Sequence, residues 1–397
     1  MASDSGRKRL LVLGAGPAQL GLLEAARARG LFTIAVDRDT SAPGFALADR
    51  RAIISAEDER GIERLARAER IDGVIAPGID WPVGIAARVA AKLGISHPLE
   101  PAVAGVAVSK AKQRERFAAA GVPQPRWKLV ADVEDDLPLP CVVKAPDRQG
   151  QRGLAVVQEK PALAPAIAGA VDVSRSRAAL VEELVDGLEV TVTAFSVGGE
   201  FFPVTVTDRI TADPPAFGVA LAHVWPSGAD AGAADVARSA VEALGIRDGP
   251  TYTQVRFGPG GPRVMEVAAR LGGGHDAELA DVVVSVDLNR LAVQAALGEE
   301  IDPASLRTEP RVGGACTLFL TAEPGRLEAV EGVEEAEQQE GVLRVRIYRR
   351  RGSVIGEFRR GADRVGAIQA VGRANEALER ARAAAALIRF QTDAALV

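Results

Sequence analysis

Cysteine and histidine are scarce in this 397-residue chain: two cysteines, Cys141 and Cys316, and three histidines, His97, His223 and His275. Two thiols cannot build a disulfide framework or a thiolate cluster, and histidines so widely spaced show no zinc pattern. No apolar run reaches the roughly 18 residues of a membrane-crossing helix, so no membrane partner is expected. The basic start, residues 1–9, has neither the apolar stretch nor the cleavage site of a secretory leader, and a cytoplasmic setting is the expectation. A net charge of −5 gives no bulk field to attract nucleic acid, so none is expected as a partner. Lysine is rare as well. There are seven, none after Lys160, and four of them fall between Lys110 and Lys144.

What is present is enough apolar sequence, 47% of residues, for two or three domains with a sizeable core. Residues 9–107 alternate short apolar runs (Leu10–Leu13, Phe32–Val36, Ala52–Ile54, Gly73–Ala76) with helical stretches at Leu20–Ala28 and Arg60–Arg70. Uninterrupted apolar runs mark strands covered on both faces, which predicts a parallel βαβ unit. A helix is expected over Lys110–Ala120, stopped by Gly121 and Pro123. Strands follow at Cys141–Lys144, Leu154–Val157, Ala179–Val185, Glu189–Phe195 and Phe201–Thr207. Gly249–Phe257 and Arg263–Val267 are expected to pair across the Gly258–Pro262 turn. Helices are expected over Ala231–Leu244, Asp281–Ala296 and, near the end, Asn375–Ile388.

The glycine-rich turn Gly14–Gly21 follows a strand and opens a helix, and Asp37 ends the next strand. That arrangement invites a dinucleotide-binding reading. However, Gln19 stands where the third glycine should fall, and a tight turn built for packing explains the glycines equally well.

The chemistry-bearing residues lie between Lys110 and His275. Lys112 sits in the lysine-rich helix. Lys144 ends an apolar strand just before a loop containing Gly150, Arg152 and Gly153. Compact ammonium charge beside glycines that let backbone N–H groups approach suits a polyphosphate. Glu182, Glu183 and Glu189 flank a turn at Gly187, where carboxylates could accept from a ribose and the strand backbone could read an adenine edge. In the predicted hairpin, Gln254 and Glu266 would project side by side, forming a partial Mg²⁺ site for phosphate oxygens and water to complete. Arg270, four residues further on, would meet an anionic phosphoryl group. A glutamate within an apolar strand is expensive unless it has such a role.

In order and spacing, these segments resemble the ATP-grasp superfamily, most closely carboxylate–amine ligases of the L-amino acid (dipeptide) ligase type. The resemblance spans nearly the whole chain. It implies an α/β, ATP-grasp fold: a Rossmann-like parallel domain (residues 1–107), a small α+β lid (108–185), an antiparallel-sheet catalytic subdomain (186–310) and an α+β appendage (311–397). It implies phosphate-binding roles for Lys112 and Lys144, and a glycine flap carrying Gly150, Arg152 and Gly153. Glu182, Glu183 and Leu184 become the adenine segment, Glu189 the ribose acid, and Gln254 and Glu266 the Mg²⁺ (or Mn²⁺) ligands. Arg270 becomes the phosphoryl-stabilising arginine, and His223 resembles a histidine near the acceptor pocket. Two departures stand out: Gln254 replaces a common glutamate, and Ala268 replaces a usual asparagine, so the site has less charge and one oxygen fewer.

The reaction implied is ATP-driven conversion of a small carboxylate, an amino acid or related acid, to an acyl phosphate that an amine attacks. A homodimer is the family expectation. A bicarbonate-activating carboxylase or purine-pathway enzyme is the nearest alternative, although no biotin-attachment motif occurs. An ATP-binding module without catalysis is another.

Overall fold

The computed structural model describes residues 6–134 and 136–393; the first five residues of the basic start lie outside it. Near the N-terminus four parallel strands run in the order Arg50–Ile53, Phe32–Asp37, Arg9–Leu13, Gly73–Ile75. The apolar runs have a direct cause. Leu11, Leu13, Ile34 and Val36 enter one buried cluster, while Leu10, Val12 and Ala35 enter another on the opposite face. A strand with two dry faces favours apolar residues throughout, and the buried exception, Thr33, donates its hydroxyl to Asp49.

A four-stranded antiparallel sheet follows, ordered Trp127–Val130, Ala179–Glu183, Cys141–Lys144, Ala155–Val157. The helix Leu163–Val173 packs on it through Leu163, Ile167 and Ala170, giving this small unit a core of its own. We call it the lid sheet.

The rest is organised by one eight-stranded antiparallel sheet. It begins with Gly261–Ala268, Gly249–Gly258, Glu189–Val197, Glu200–Thr211 and Ala220–Trp225. It continues without a break into Gly314–Leu320, Gly366–Gly372 and Val342–Ile347. Strands from both sides of residue 310 therefore share one ladder.

One expected helix is two. Asp276–Val284 and Leu288–Ala296 are separated by Ser285, which takes a left-handed backbone (φ 54°). Asp287 restarts the second helix by accepting from the Arg290 N–H at 2.9 Å. An apolar periodicity that stays in phase hides a break of this kind, whereas the cap residue marks it.

Candidate active site

A cleft opens between the lid sheet and the large sheet. Two strand pairings place its chemistry. In the Gly249–Gly258/Gly261–Ala268 hairpin, Gln254 stands directly opposite Glu266, so the two side chains leave the sheet together. In the lid sheet, Val142 is opposite Glu182 and Lys144 opposite Leu180, which brings Lys144 and Glu182 to the same face.

The helix Lys110–Ala119 closes the floor. Lys110 Nζ lies 2.8 Å from Glu266 Oε1 and also donates to the Arg148 carbonyl at 3.1 Å. Arg114, one turn on, donates from Nε to Glu182 Oε1 at 2.6 Å, and Lys144 Nζ reaches the other oxygen, Oε2, at 2.7 Å. The guanidinium also donates to the carbonyls of Val264 and Met265, tying the helix to the Gly261–Ala268 strand.

Lys112, expected to bind phosphate, is corrected here: it is exposed and stands outside the cleft. Residues two apart on a helix point about 200° apart. Only one of Lys110 and Lys112 can face inward, and the partners select Lys110. The sequence did carry a signal, because Lys110, Arg114 and the core residue Phe117 follow the i, i+4, i+7 spacing of a single face.

The electrostatics follow from this packing. Burial raises the Glu266 carboxyl, but Lys110, Lys144 and Arg270 outweigh it and hold the group well below the usual carboxylate range. Glu182 is likewise held low by Arg114 and Lys144 against its burial. The two lysines part ways. Burial pulls Lys144 down, whereas Glu266 and Asp80 lift Lys110 above its ordinary value in spite of burial. Seven cationic side chains line the cleft against four carboxylates, an excess that suits a polyanion.

Arg270 donates from Nε to Asp80 Oδ1 at 2.7 Å and spans the cleft toward the N-terminal unit. The loop carrying Gly150, Arg152 and Gly153 bends over the same cleft, and Gly150 and Gly153 both take positive φ (67° and 70°). Its Gln149 side chain accepts from the backbone N–H groups of Asp80 and Trp81 at 2.9 and 3.1 Å. That amide caps a helix whose own N-cap, Asp80, makes no side-chain cap. Arg152 lines the cleft and lies 4.0 Å from Glu57.

Glu182 and Leu184 line the cleft, but Glu183 does not. Successive strand residues alternate faces, and the Glu183 side chain turns to Arg126 and Arg263. Glu189 lines the cleft with its oxygens on Arg209 and Arg256, at 2.5 and 2.8 Å. Val142, Ala145, Leu184 and Met265 give the wall an apolar stretch that could hold a planar base. Phe217 lines the cleft, whereas Trp81 carries the stacked Arg175 guanidinium at 3.7 Å and Trp225 packs against the core.

A second cavity adjoins the first and shares Gly150, Gln151, Arg209, Gln254 and Arg270 with it. His223 lines this second cavity. It is buried, 3.4 Å from Asp276, and burial pulls its pKa to about 4, leaving the imidazole neutral near pH 7. His275 instead bridges Glu278 (3.2 Å) and the Tyr348 hydroxyl. A histidine kept neutral opposes folding once it must charge. His223 therefore destabilises the fold progressively as pH falls from about 6.5 toward about 4. We expect His223→Asn to lose less stability between pH 7.5 and pH 5 than the wild type, measured by urea unfolding midpoints.

The N-terminal glycine turn also meets this second cavity through Gly16, Pro17, Ala18 and Gln19. The buried Gln19 side chain folds back over the turn, where a Cβ on Gly14 would come within 2.9 Å of it, and it donates to the Pro77 carbonyl. The glycines make room for that glutamine rather than for a pyrophosphate, which removes the dinucleotide reading.

Residues 318–393 match the family model described as L-amino acid ligase C-terminal domain 2. The chain is 30% identical over 277 residues to an uncharacterized protein (y4rH) of Sinorhizobium fredii, covering 66% of this chain and 56% of that protein; the chain thus spans little more than half its length. Among solved structures, the L-amino acid ligase of Bacillus licheniformis superposes with a TM-score of 0.82 at 22% identity, covering 98% of this chain and 99% of that one. Phosphoribosylglycinamide synthetase of Anaerococcus prevotii gives 0.78 at 20% identity, covering 98% and 100%. The biotin carboxylase domain of Hydrogenobacter thermophilus 2-oxoglutarate carboxylase, solved with MgADP, ADP and bicarbonate, gives 0.79 at 17% identity, covering 97% and 91%.

Proposed function

We propose that this chain, whose fold is that of the ATP-grasp superfamily, is an ADP-forming carboxylate–amine ligase acting on small molecules. The observation that carries the reading is the joining of two cavities at Gln254 and Arg270. One is cationic with an apolar wall, and the other is lined in part by Tyr348 and Arg364 of the segment matching the ligase domain.

In this reading ATP lies in the first cavity. Val142, Leu184 and Met265 enclose the base, and the backbone of Glu182–Leu184 reads its edge. Glu189 accepts from the ribose, with lone pairs left over from Arg209 and Arg256. Lys144 and Lys110 neutralise the phosphates, and the Gly150–Gly153 loop excludes water above them. A carboxylate oxygen of the acid attacks the γ-phosphorus as the bond to ADP breaks. The amine nitrogen of the second substrate then attacks the acyl carbon, phosphate leaves with that oxygen, and the amine gives up a proton. Arg270 faces the charge on the transferring group.

The donor set fits a divalent cation that arrives with the nucleotide. Gln254 and Glu266 offer oxygen alone, as Mg²⁺ or Mn²⁺ prefers, and no cluster of three His, Cys, Asp or Glu among the described residues forms an independent site. When bound, the cation would supply charge neutralisation between phosphate oxygens.

We further propose a cytoplasmic homodimer with neither nucleic acid nor membrane as partner. No helix among the described residues is long and apolar enough to cross a membrane. Measuring ADP release over a matrix of small acids and amines tests the reading. We expect release that requires both partners. Release that requires bicarbonate in place of an organic acid, or none with any pair, contradicts it.

A further inference from the structure

Buried guanidinium groups around the two cavities are matched by carboxylates. Arg114 has Glu182, Arg209 and Arg256 share Glu189, and Arg270 has Asp80. Two break the pattern: Arg148, in the first cavity, donates to the Val173 carbonyl and has no carboxylate among the described residues, and Arg364 stands in the wall of the second cavity. Among the described residues no carboxylate oxygen lies within 4.0 Å of Arg364. Its guanidinium donates through one Nη to the Ala220 carbonyl at 2.6 Å and stacks 3.6 Å over the Phe319 ring, while its buried Nε has no partner. Burial draws its pKa down to about 10, so it is still charged at neutral pH. A fixed, desolvated cation with an idle donor is unfavourable unless something anionic completes it.

Tyr348 lines the cavity beside it. Glu278 sits against His275 Nδ1 and the Tyr348 hydroxyl against Nε2; in the tautomer that donates from Nδ1 to the carboxylate, Nε2 accepts from the hydroxyl. That commits the phenolic proton away from the cavity and leaves an oxygen that can only accept. The corner therefore offers one uncompensated positive charge with a planar fork, and one acceptor for an N–H or O–H. A single excess charge matches a carboxylate monoanion better than a phosphate monoester dianion.

We propose that Arg364 is a specificity-determining residue that anchors a carboxylate of one substrate, a group distinct from the carboxylate that is activated. That this carboxylate is a spectator rests on the ligase reading, because Arg364 lines only the second cavity while Arg270 and Gln254 lie at the junction of the two.

Ligand-observed NMR on the full chain with ADP and Mg²⁺ tests this. The probes are the twenty proteinogenic L-amino acids and succinate, each against its primary amide, with glycerol 3-phosphate as the phosphate monoester. We expect at least one acid to bind about 50-fold more tightly than its amide, since the amide forfeits a charge-assisted pair. Arg364→Met should bring the acid down to the level of the amide, and Arg364→Lys should retain part of the preference. ADP affinity should stay unchanged in both variants, which a merely structural role would not predict. No acid binding, a preference that survives Arg364→Met, or tighter Arg364-dependent binding of glycerol 3-phosphate would each overturn the proposal. The two readings fail separately. A preference lost in Arg364→Met without ADP release from any acid–amine pair keeps the carboxylate anchor and removes the ligase. ADP release whose acid and amine preferences ignore Arg364 does the reverse.

Discussion

Lys110→Met should lower ADP-forming turnover by about 10²–10³-fold, the range for deleting one preorganised charge at a reacting centre. Lys112→Met should leave turnover within about twofold, as for an exposed side chain without a structural role. The contrast is the informative part, because the two lysines share a helix, a charge and nearly a position. Lys110 touches Glu266, whereas Lys112 faces solvent. Steady-state kinetics at saturating and limiting ATP would separate a loss in kcat from one in KM. Melting curves would show whether Lys110→Met also unsettles Glu266, which would lose its nearest counter-ion. Equal losses in the two variants would mean that the helix face is misassigned.

The second large effect belongs to Glu266. Glu266→Gln keeps the shape and one oxygen but removes the only carboxylate of the proposed cation site. With Gln254 opposite and Ala268 two residues on, nothing on the hairpin can replace that charge. We expect turnover to fall by at least about 10³-fold, roughly 4 kcal/mol of transition-state stabilisation. Raising Mg²⁺ or substituting Mn²⁺ should recover part of it. Because its cationic neighbours hold Glu266 well below the ordinary carboxylate range, the wild-type site keeps its charge as pH falls through the range where an ordinary glutamate protonates. A decline in rate between pH 7 and pH 5 must therefore arise elsewhere. Turnover that survives Glu266→Gln undiminished removes the cation site from the hairpin.

Much of this architecture could be read along the chain because local rules decided it. The two-faced burial of the first strands writes itself as continuous apolar runs. A glycine–proline turn sets the hairpin, and register then brings Gln254 and Glu266 together without further information. Lys144 and Glu182 emerge from strand ends in the same way. What stayed hidden depends on faces and on approach in three dimensions. Lys110 and Lys112 differ only in which side of a helix meets the sheet, and Glu183 differs from Glu182 only in strand parity. Asp80, Met265 and Arg364 reach the cavities through packing between elements far apart in sequence. No local pattern marks Arg364, since its distinguishing feature is a missing partner. The split at Ser285 was obscured because apolar spacing continues across it.

The oxygen balance of the reaction offers the most direct test. If a carboxylate attacks the γ-phosphorus, one of its oxygens must leave with the phosphate. Turnover of an acid labelled with ¹⁸O in both carboxylate positions, followed by mass spectrometry of the released phosphate, should show one heavy oxygen per phosphate and unlabelled ADP. Phosphate that carries no label, or label recovered in AMP, would contradict activation of a carboxylate by phosphoryl transfer.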